Sequence, residues 1–365
     1  MNQDVALQLL KAGKNVFLTG SAGTGKTYVL NKYIEYLKSR KIPVAVTAST
    51  GIAATHMQGM TIHAWSGIGI KSKLTRGDLV AMETKKYLKE QLEKARILII
   101  DEISMLHKDQ LEMVNSVLKH FKNTEAAFGG IQVVLCGDFF QLPPIGPESS
   151  ALKFAFMAPS WVEAKLTICY LTEQYRQSDT ELNTILNEIR SDNISNTSRQ
   201  KLKNAEFNQL NNNWQPTKLY THNIDVDRIN AEFLDNLPGK LKKFKASSKG
   251  NDKLLDAFKN SVPAAPLIEL KVGAKIMFVK NNPEAGYING TLGEIIDYSD
   301  VGFPIVKLLN GKTITANQDS WSIEDDKGKN LATYNQIPIR LAWAITVHKS
   351  QGMTLDAAEI DLSKT

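Results

Sequence analysis

The sequence predicts an α/β protein built around a phosphate loop, with a small antiparallel β-barrel set into its second half. Three observations predict this. Gly20 to Thr27, Gly-Ser-Ala-Gly-Thr-Gly-Lys-Thr, fits G-x-x-x-x-G-K-[ST] at every fixed position. The loop lies between a short β-prone run, Asn15 to Thr19, and a helical pattern from Lys26 to Arg40 with Val29, Leu30, Tyr33, Ile34 and Leu37 on one face. Residues 266–334 read instead as short alternating strands bounded by Gly, Asn and Asp, with Asn289-Gly290 the best hairpin signal in the chain.

Composition bounds the rest. At 365 residues the chain is long enough for two or three domains, and 42% hydrophobic with 22% charged residues is ordinary for a globular protein. The net charge of +6 is a mild lean towards a polyanionic partner. Cys136 and Cys169 each lie in an apolar run without metal-ligand neighbours, as buried thiols of a reducing compartment do. There is no leader-like start and no apolar stretch of membrane-spanning length, so the expectation is a cytoplasmic protein without a membrane partner.

Taken in order, residues 2–12 predict a short helix stopped by Gly13. Gln3 on it is either solvated or placed to read the edge of adenine, since an amide both donates and accepts. In the phosphate loop, the backbone N–H groups of Ser21, Ala22, Gly23, Thr24 and Gly25 would curl around phosphate oxygens at a helix N-terminus. Lys26 would hold the β- and γ-phosphates, and the Thr27 hydroxyl would ligate Mg²⁺. A second strand, Ile42 to Ala48, leads to Thr47, Ser49 and Thr50, which are phosphate-binding types at the sheet edge. Gly59 to Trp65 offers Thr61 and His63 beside an indole, either as a single-strand groove or as a capped helix over a buried ring. Residues 67–94 read as a small insertion or a solvated helix pair.

Ile97 to Ile100 is a continuous apolar run that ends in Asp101 and Glu102. Such a strand is buried on both faces. Asp101 can then hold the Mg²⁺ shell while Glu102 acts as general base on water. A third strand, Ile131 to Cys136, opens into Gly137-Asp-Phe-Phe-Gln-Leu-Pro-Pro144, where Gln141 is placed to sense the γ-phosphate. Phe139 or Phe140 could stack on a base or fill the core, and Pro143 with Pro144 stiffens the loop.

These segments, together with Leu171-Thr-Glu-Gln-Tyr-Arg176-Gln and Thr346-Val-His-Lys-Ser-Gln-Gly-Met-Thr354, resemble the ordered motifs of the PIF-family DNA helicases. That family belongs to superfamily one, in its 5′-to-3′ group, with RecD-type helicases as cousins. Asp109 to Gln132 resembles the family's own signature. The resemblance implies ATP hydrolysed with Mg²⁺ between two RecA-like domains while single-stranded DNA crosses their tops, and a monomer acting at forks or junctions. It implies a first domain over 1–165, a second over 166–265 and 335–365, and a Src-homology-three-like barrel over 266–334.

Catalytic roles then fall to Lys26, Asp101, Glu102, Gln141 and Arg176, with Arg176, Gln351 and Gly352 also facing the nucleotide. The DNA face is assigned Thr47, Ser49, Thr50, Thr61, His63, Phe139, Pro143, Asn223, His348 and Ser350. A guanidinium at Arg176 suits charge developing on the transferred phosphoryl group. Lys240 to Lys259 reads as a solvated connection, and Ile339 to Ile345 as the return to α/β. The family pattern continues to a final arginine motif that is missing before Thr365. The expectation is a fragment that binds ATP and DNA but hydrolyses poorly, alternatively a nucleotide-dependent single-strand binding module. A bacterial or viral, nucleoid-associated origin fits.

Overall fold

The structure, a computed structural model, describes residues 1–69, 71, 73–144, 153–173, 180–206, 216–220, 223–250, 255, 262–324, 330–351, 353, 355 and 357–360. It divides into two compact units, Met1–Lys203 and Asn204–Thr365.

The first unit is a parallel sheet of six strands: β1 (Val16–Gly20), β2 (Val44–Ala48), β3 (Met60–Thr61), β4 (Ile97–Asp101), β5 (Gln132–Cys136) and β6 (Thr167–Leu171). Their order is β3-β2-β4-β5-β1-β6. Helices on both faces account for the unbroken apolar runs. Val16, Leu18, Ile97, Ile99, Val134 and Cys136 enter the core beneath α1 (Gln3–Lys11) and α2 (Lys26–Ser39). Phe17, Leu98, Ile100, Val133 and Leu135 enter the opposite core. Period-two alternation thus serves two cores at once.

The first unit extends past the expected boundary at 165. β6 pairs with β1 from Val16↔Thr167 to Gly20↔Leu171, so Thr167–Leu171 completes the first sheet. The stretch 67–94 is neither a separate subdomain nor merely a solvated pair. Its helices Arg76–Glu83 and Lys86–Lys94 bury Met82, Leu88 and Leu92 in the core that also holds Trp65 and Phe121.

The second unit carries a smaller parallel sheet, β18-β7-β19, from β7 (Thr217–Tyr220), β18 (Ala344–Thr346) and β19 (Ala358–Ile360). Between β7 and β18 the chain runs through antiparallel strands. β11 (Lys275–Phe278), β12 (Leu292–Tyr298), β13 (Pro304–Leu308), β14 (Thr313–Thr315) and β17 (Ile339–Leu341) form a five-stranded sheet. β15 (Asp319–Glu324), β16 (Asn330–Gln336) and β9 (Ser247–Gly250) form another, and β10 (Leu267–Leu270) pairs with β8 (Lys242–Lys245). The architecture is therefore two RecA-like α/β units with a β module inserted in the second.

Three expectations change here. The lysine-rich stretch after Lys240 is in part strand, because β8 and β9 find partners 22 or more residues away: Lys245 faces Leu267 and Gly250 faces Ala332. Ile339 to Ile345 is divided, β17 joining the antiparallel sheet at Phe278↔Ile339 and only β18 returning to the parallel one. Asn289-Gly290 is a turn, with Gly290 at φ +98°, but it closes a longer loop between β11 and β12 rather than a two-residue hairpin. Among the described residues no helix is long and apolar enough to cross a membrane.

Candidate nucleotide and nucleic-acid site

All six strands of the first sheet point the same way, so the segments following β1, β2, β4 and β5 emerge along one edge. The phosphate loop follows β1. Gly20, at φ +150°, is required to be glycine: an added Cβ would lie 2.6 Å from the Leu171 carbonyl and 2.8 Å from the Thr24 hydroxyl. Gly25 caps α2 in the left-handed region, φ +81°, with no side chain over the helix N-terminus. Thr24 is fully buried, and its hydroxyl donates to the Ser21 carbonyl at 2.9 Å, so its side chain shapes the loop. The Lys26 ammonium donates to the carbonyls of Gly20 and Ser21 at 2.7 and 3.1 Å. Gln3, half-buried, donates from its amide to the Thr24 carbonyl at 3.1 Å, which brings α1 onto the loop.

β4 delivers Asp101, whose side chain lies on the face that carries α2. Burial raises the Asp101 carboxyl above the ordinary carboxylate range, against hydrogen bonds from the Cys136 thiol and the Glu102 N–H and the charge of Lys26. Burial and the adjacent Asp101 charge in turn push the Cys136 thiol well up, so it remains a proton donor to that carboxylate. Cys136 therefore sits against the candidate metal carboxylate and is more than core filling.

The donor set suits Mg²⁺, which takes hard oxygens, one or two from protein and the rest from phosphates and water. Asp101 and the exposed Thr27 hydroxyl supply such oxygens. No cluster of three or more His, Cys, Asp or Glu occurs among the described residues. Glu102 has already left the strand, at φ +53° and ψ +44°, so its direction comes from this turn and not from strand alternation.

After β5, Asp138 is 2% exposed and organises the loop: it accepts from the Phe140 N–H at 3.2 Å and from Arg190 at 2.6 Å. Gln141 donates its N–H to the Asp138 carbonyl at 2.9 Å. Arg190, at the end of the helix Thr180–Arg190, also lies over the Phe140 ring at 4.2 Å. Nothing in the sequence marked Arg190, because its partner lies 52 residues earlier.

Three of the expected DNA contacts are overturned. Thr47 is fully buried and donates to the Ile99 carbonyl at 2.6 Å, tying β2 to β4. Phe139 is half-buried and packed on the core, 4.8 to 5.7 Å from Phe17, Phe154, Phe156 and Trp161, whereas its neighbour Phe140 is 71% exposed. Ser49 is turned inward too, its N–H donating to the Asp101 carbonyl at 3.0 Å and its hydroxyl to the Glu102 carbonyl at 2.6 Å.

Thr50 and Thr61 accept from Ala53 and Ala64 N–H groups as helix caps and stay half-exposed. His63, also half-exposed, is bonded to Gln110, and burial lowers its pKa against that bond. Pro143 is half-buried.

In the second unit, Asn230 clamps β18 by exchanging bonds with both backbone groups of Ala344 at 2.9 and 3.1 Å. β18 then feeds the short helix Val347–Ser350, capped by Thr346. His348 is half-exposed with its pKa lowered by burial, and Ser350 donates to the Val347 carbonyl at 2.8 Å. Gln351 follows directly, half-exposed. Arg176, Gly352, His222 and the side chain of Asn223 lie outside the described residues.

A parallel α/β sheet whose strand ends present a glycine loop and a buried carboxylate defines the phosphate-loop nucleotide-binding class. The chain belongs to the PIF1-like helicase family, whose model matches residues 2–210, and a model of the DNA helicase Pif1 2B domain matches residues 253–298.

It is 48% identical to the ATP-dependent DNA helicase Pif1 of Psychrobacter sp. over all of this chain, and spans 64% of that relative's length. The structure of Bacteroides sp. Pif1 in complex with ADP-AlF4 superposes with a TM-score of 0.82 at 31% identity, covering 99% of this chain and 86% of that one. Bacteroides Pif1 bound to single-stranded DNA superposes at 0.64 and 30% identity, covering 100% and 86%.

Proposed function

We propose that the chain is an ATP-dependent DNA helicase that hydrolyses ATP at the Gly20–Thr27 loop and moves 5′ to 3′ along single-stranded DNA. The observation that carries this reading is the gathering of Lys26, Thr27, Asp101, Glu102 and Gln141 along one edge of one parallel sheet, in a chain of this family. ATP would seat its phosphates on the loop's N–H groups and Lys26, with the base near Gln3. Thr27 and Asp101 would hold Mg²⁺, which supplies charge neutralisation at the β- and γ-phosphates. Glu102 would take the proton from attacking water, and Gln141 would report the γ-phosphate to the loop organised by Asp138.

Arg176, Gln351 and Gly352 are kept as nucleotide contacts. Thr50, Thr61, His63, Pro143, Asn223, His348 and Ser350 are kept as contacts to DNA, and Phe140 replaces Phe139 as the candidate ring for base stacking. The Bacteroides homologue's single-stranded DNA complex supports that partner class, and a Pif1 structure solved for DNA unwinding at forked duplex DNA supports forks as the substrate. A monomer acting at the nucleoid completes the reading.

The test is phosphate release with Mg²⁺ and ATP, with and without single-stranded DNA, paired with unwinding of duplexes carrying a 5′ or a 3′ tail. Stimulation by DNA and unwinding of the 5′-tailed duplex alone are expected. Phosphate release indifferent to DNA would overturn the motor reading, and unwinding from a 3′ tail would overturn the polarity.

A further inference from the structure

Ser49 has a part in the site that neither strand alternation nor motif spacing assigns. Its N–H donates to the Asp101 carbonyl at 3.0 Å and its hydroxyl to the Glu102 carbonyl at 2.6 Å. Those carbonyls belong to the two peptide groups on either side of the Glu102 Cα, the planes whose rotation defines φ and ψ of that residue. Glu102 is held there at φ +53° and ψ +44°, a region that side chains other than glycine occupy only when their surroundings over-determine it. Ser49 shares that determination with the Met105 N–H, which donates to the Glu102 carbonyl at 3.1 Å, and with the Asp101 carboxylate, which accepts from the Glu102 N–H at 2.9 Å. The next residue, Thr50, caps the helix Gly51–His56 by accepting from the Ala53 N–H at 3.3 Å. One side of the Ser49 contact is thus continuous with the segment read as touching DNA, and the other side is the turn that aims the Glu102 carboxylate.

We propose that Ser49 is a positioning residue that aims Glu102 at water and transmits DNA-dependent displacement of the 49–51 segment to the site of ATP cleavage. This rests on the reading of Glu102 as general base and of the segment after β2 as a DNA contact. On this proposal the two-state element is the Glu102 turn, left-handed with both Ser49 bonds made and less constrained when either is lost, while the Met105 and Asp101 bonds remain. Binding of DNA at Thr50 and the helix behind it biases that choice without any ligand touching Ser49 itself.

The experiment uses the full chain and the variants Ser49→Ala, Ser49→Thr and Thr47→Val. Thr47→Val is the structural control, since it removes a hydroxyl bond of the same 2.6 Å length from β2 to β4, at Ile99 and away from the turn. Phosphate release is measured across ATP concentrations with and without saturating oligo-dT, and oligo-dT affinity by fluorescence anisotropy. Ser49→Ala is expected to lower the DNA-stimulated kcat about tenfold, the size of a common coupling between sites. KM for ATP and affinity for oligo-dT should stay within about twofold of the parent. Ser49→Thr should restore the stimulation, and Thr47→Val should keep the parent's stimulation ratio even where its melting temperature falls.

A Ser49→Ala variant stimulated as fully as the parent overturns the inference alone. So does an equal loss in Thr47→Val, which would mark general loosening, or a fall in oligo-dT affinity matching the fall in kcat, which would mark a direct DNA contact. A parent chain that DNA does not stimulate counts against the proposed function and removes the coupling with it.

Discussion

The two sheet systems of this chain put their side chains to opposite uses. In the six-stranded parallel sheet every strand ends at the same edge, and β1 and β4 are buried along their whole length. Residues that follow the strands therefore converge, and Lys26, Asp101, Asp138 and Gln141 come from positions far apart in sequence. In the antiparallel module neighbouring strands reverse, loops are shared between two edges, and burial alternates, as in Ala332, Tyr334 and Gln336 of β16. Chemistry gathers where strand direction is shared, and the alternating module serves as a packed body.

The largest expected effect falls at the convergent edge. Lys26→Ala should abolish ATP hydrolysis with loss of tight nucleotide binding, whereas Glu102→Gln should keep binding and lower kcat by about 10²- to 10⁴-fold. Nucleotide affinity by fluorescence titration and kcat by phosphate release check both. Normal turnover in either variant would mean that the edge is not the reaction centre.

A smaller effect sharpens the difference between adjacent positions on one loop. Phe139→Ala removes a ring packed against four others and should cost about 3 kcal/mol in chemical denaturation. Phe140→Ala removes an exposed ring and should cost less than about 1 kcal/mol, including its contact with Arg190. Equal costs would erase the distinction drawn between the two rings.

The last effect belongs to the antiparallel module. Lys275 on β11 is 6% exposed, and burial pushes its pKa down to about 8, only partly countered by Glu359. Between about pH 8 and the unfolded value near 10.4, the unfolded chain holds a proton there that the folded chain lacks, so stability rises with pH across that window. The gain attributable to Lys275 is at most about 1.4 kcal/mol per pH unit. Lys275→Met should flatten that rise when denaturation midpoints of parent and variant are compared from pH 7.5 to 10. A parallel pair of curves would show that the ammonium is solvated.

The first unit was legible in outline because its signals are local. A glycine loop between strand and helix, and a five-residue apolar run ending in Asp101, carry their own geometry in a few residues. The antiparallel module was legible in the β-prone runs bounded by Gly, Asn and Asp that became β12 and β13. It was not legible in β8 and β9, whose lysine-rich stretches are strands only because β10 and β16 pair with them. The site divided in the same way. Residue types at the sheet edge were readable, but which hydroxyl faces solvent was not. Thr47 and Ser49 look alike in sequence to Thr50, yet Thr47 donates to a carbonyl within β4 and Ser49 to one just past its end, each more than 50 residues on.

By itself the sequence determined the phosphate loop, the carboxylate strand end, the alternation of strand and helix and the presence of a β module. All of these depend on contacts between near neighbours in the chain. Only the tertiary structure decided that β6 completes the first sheet, that Phe139 packs on the core and Phe140 does not, that Arg190 neutralises Asp138, and that Ser49 helps hold the Glu102 turn. Each of those is a choice among partners at long sequence separation, and such a choice is made by burial, because a buried donor, acceptor or charge must be satisfied by whichever group the fold brings within reach.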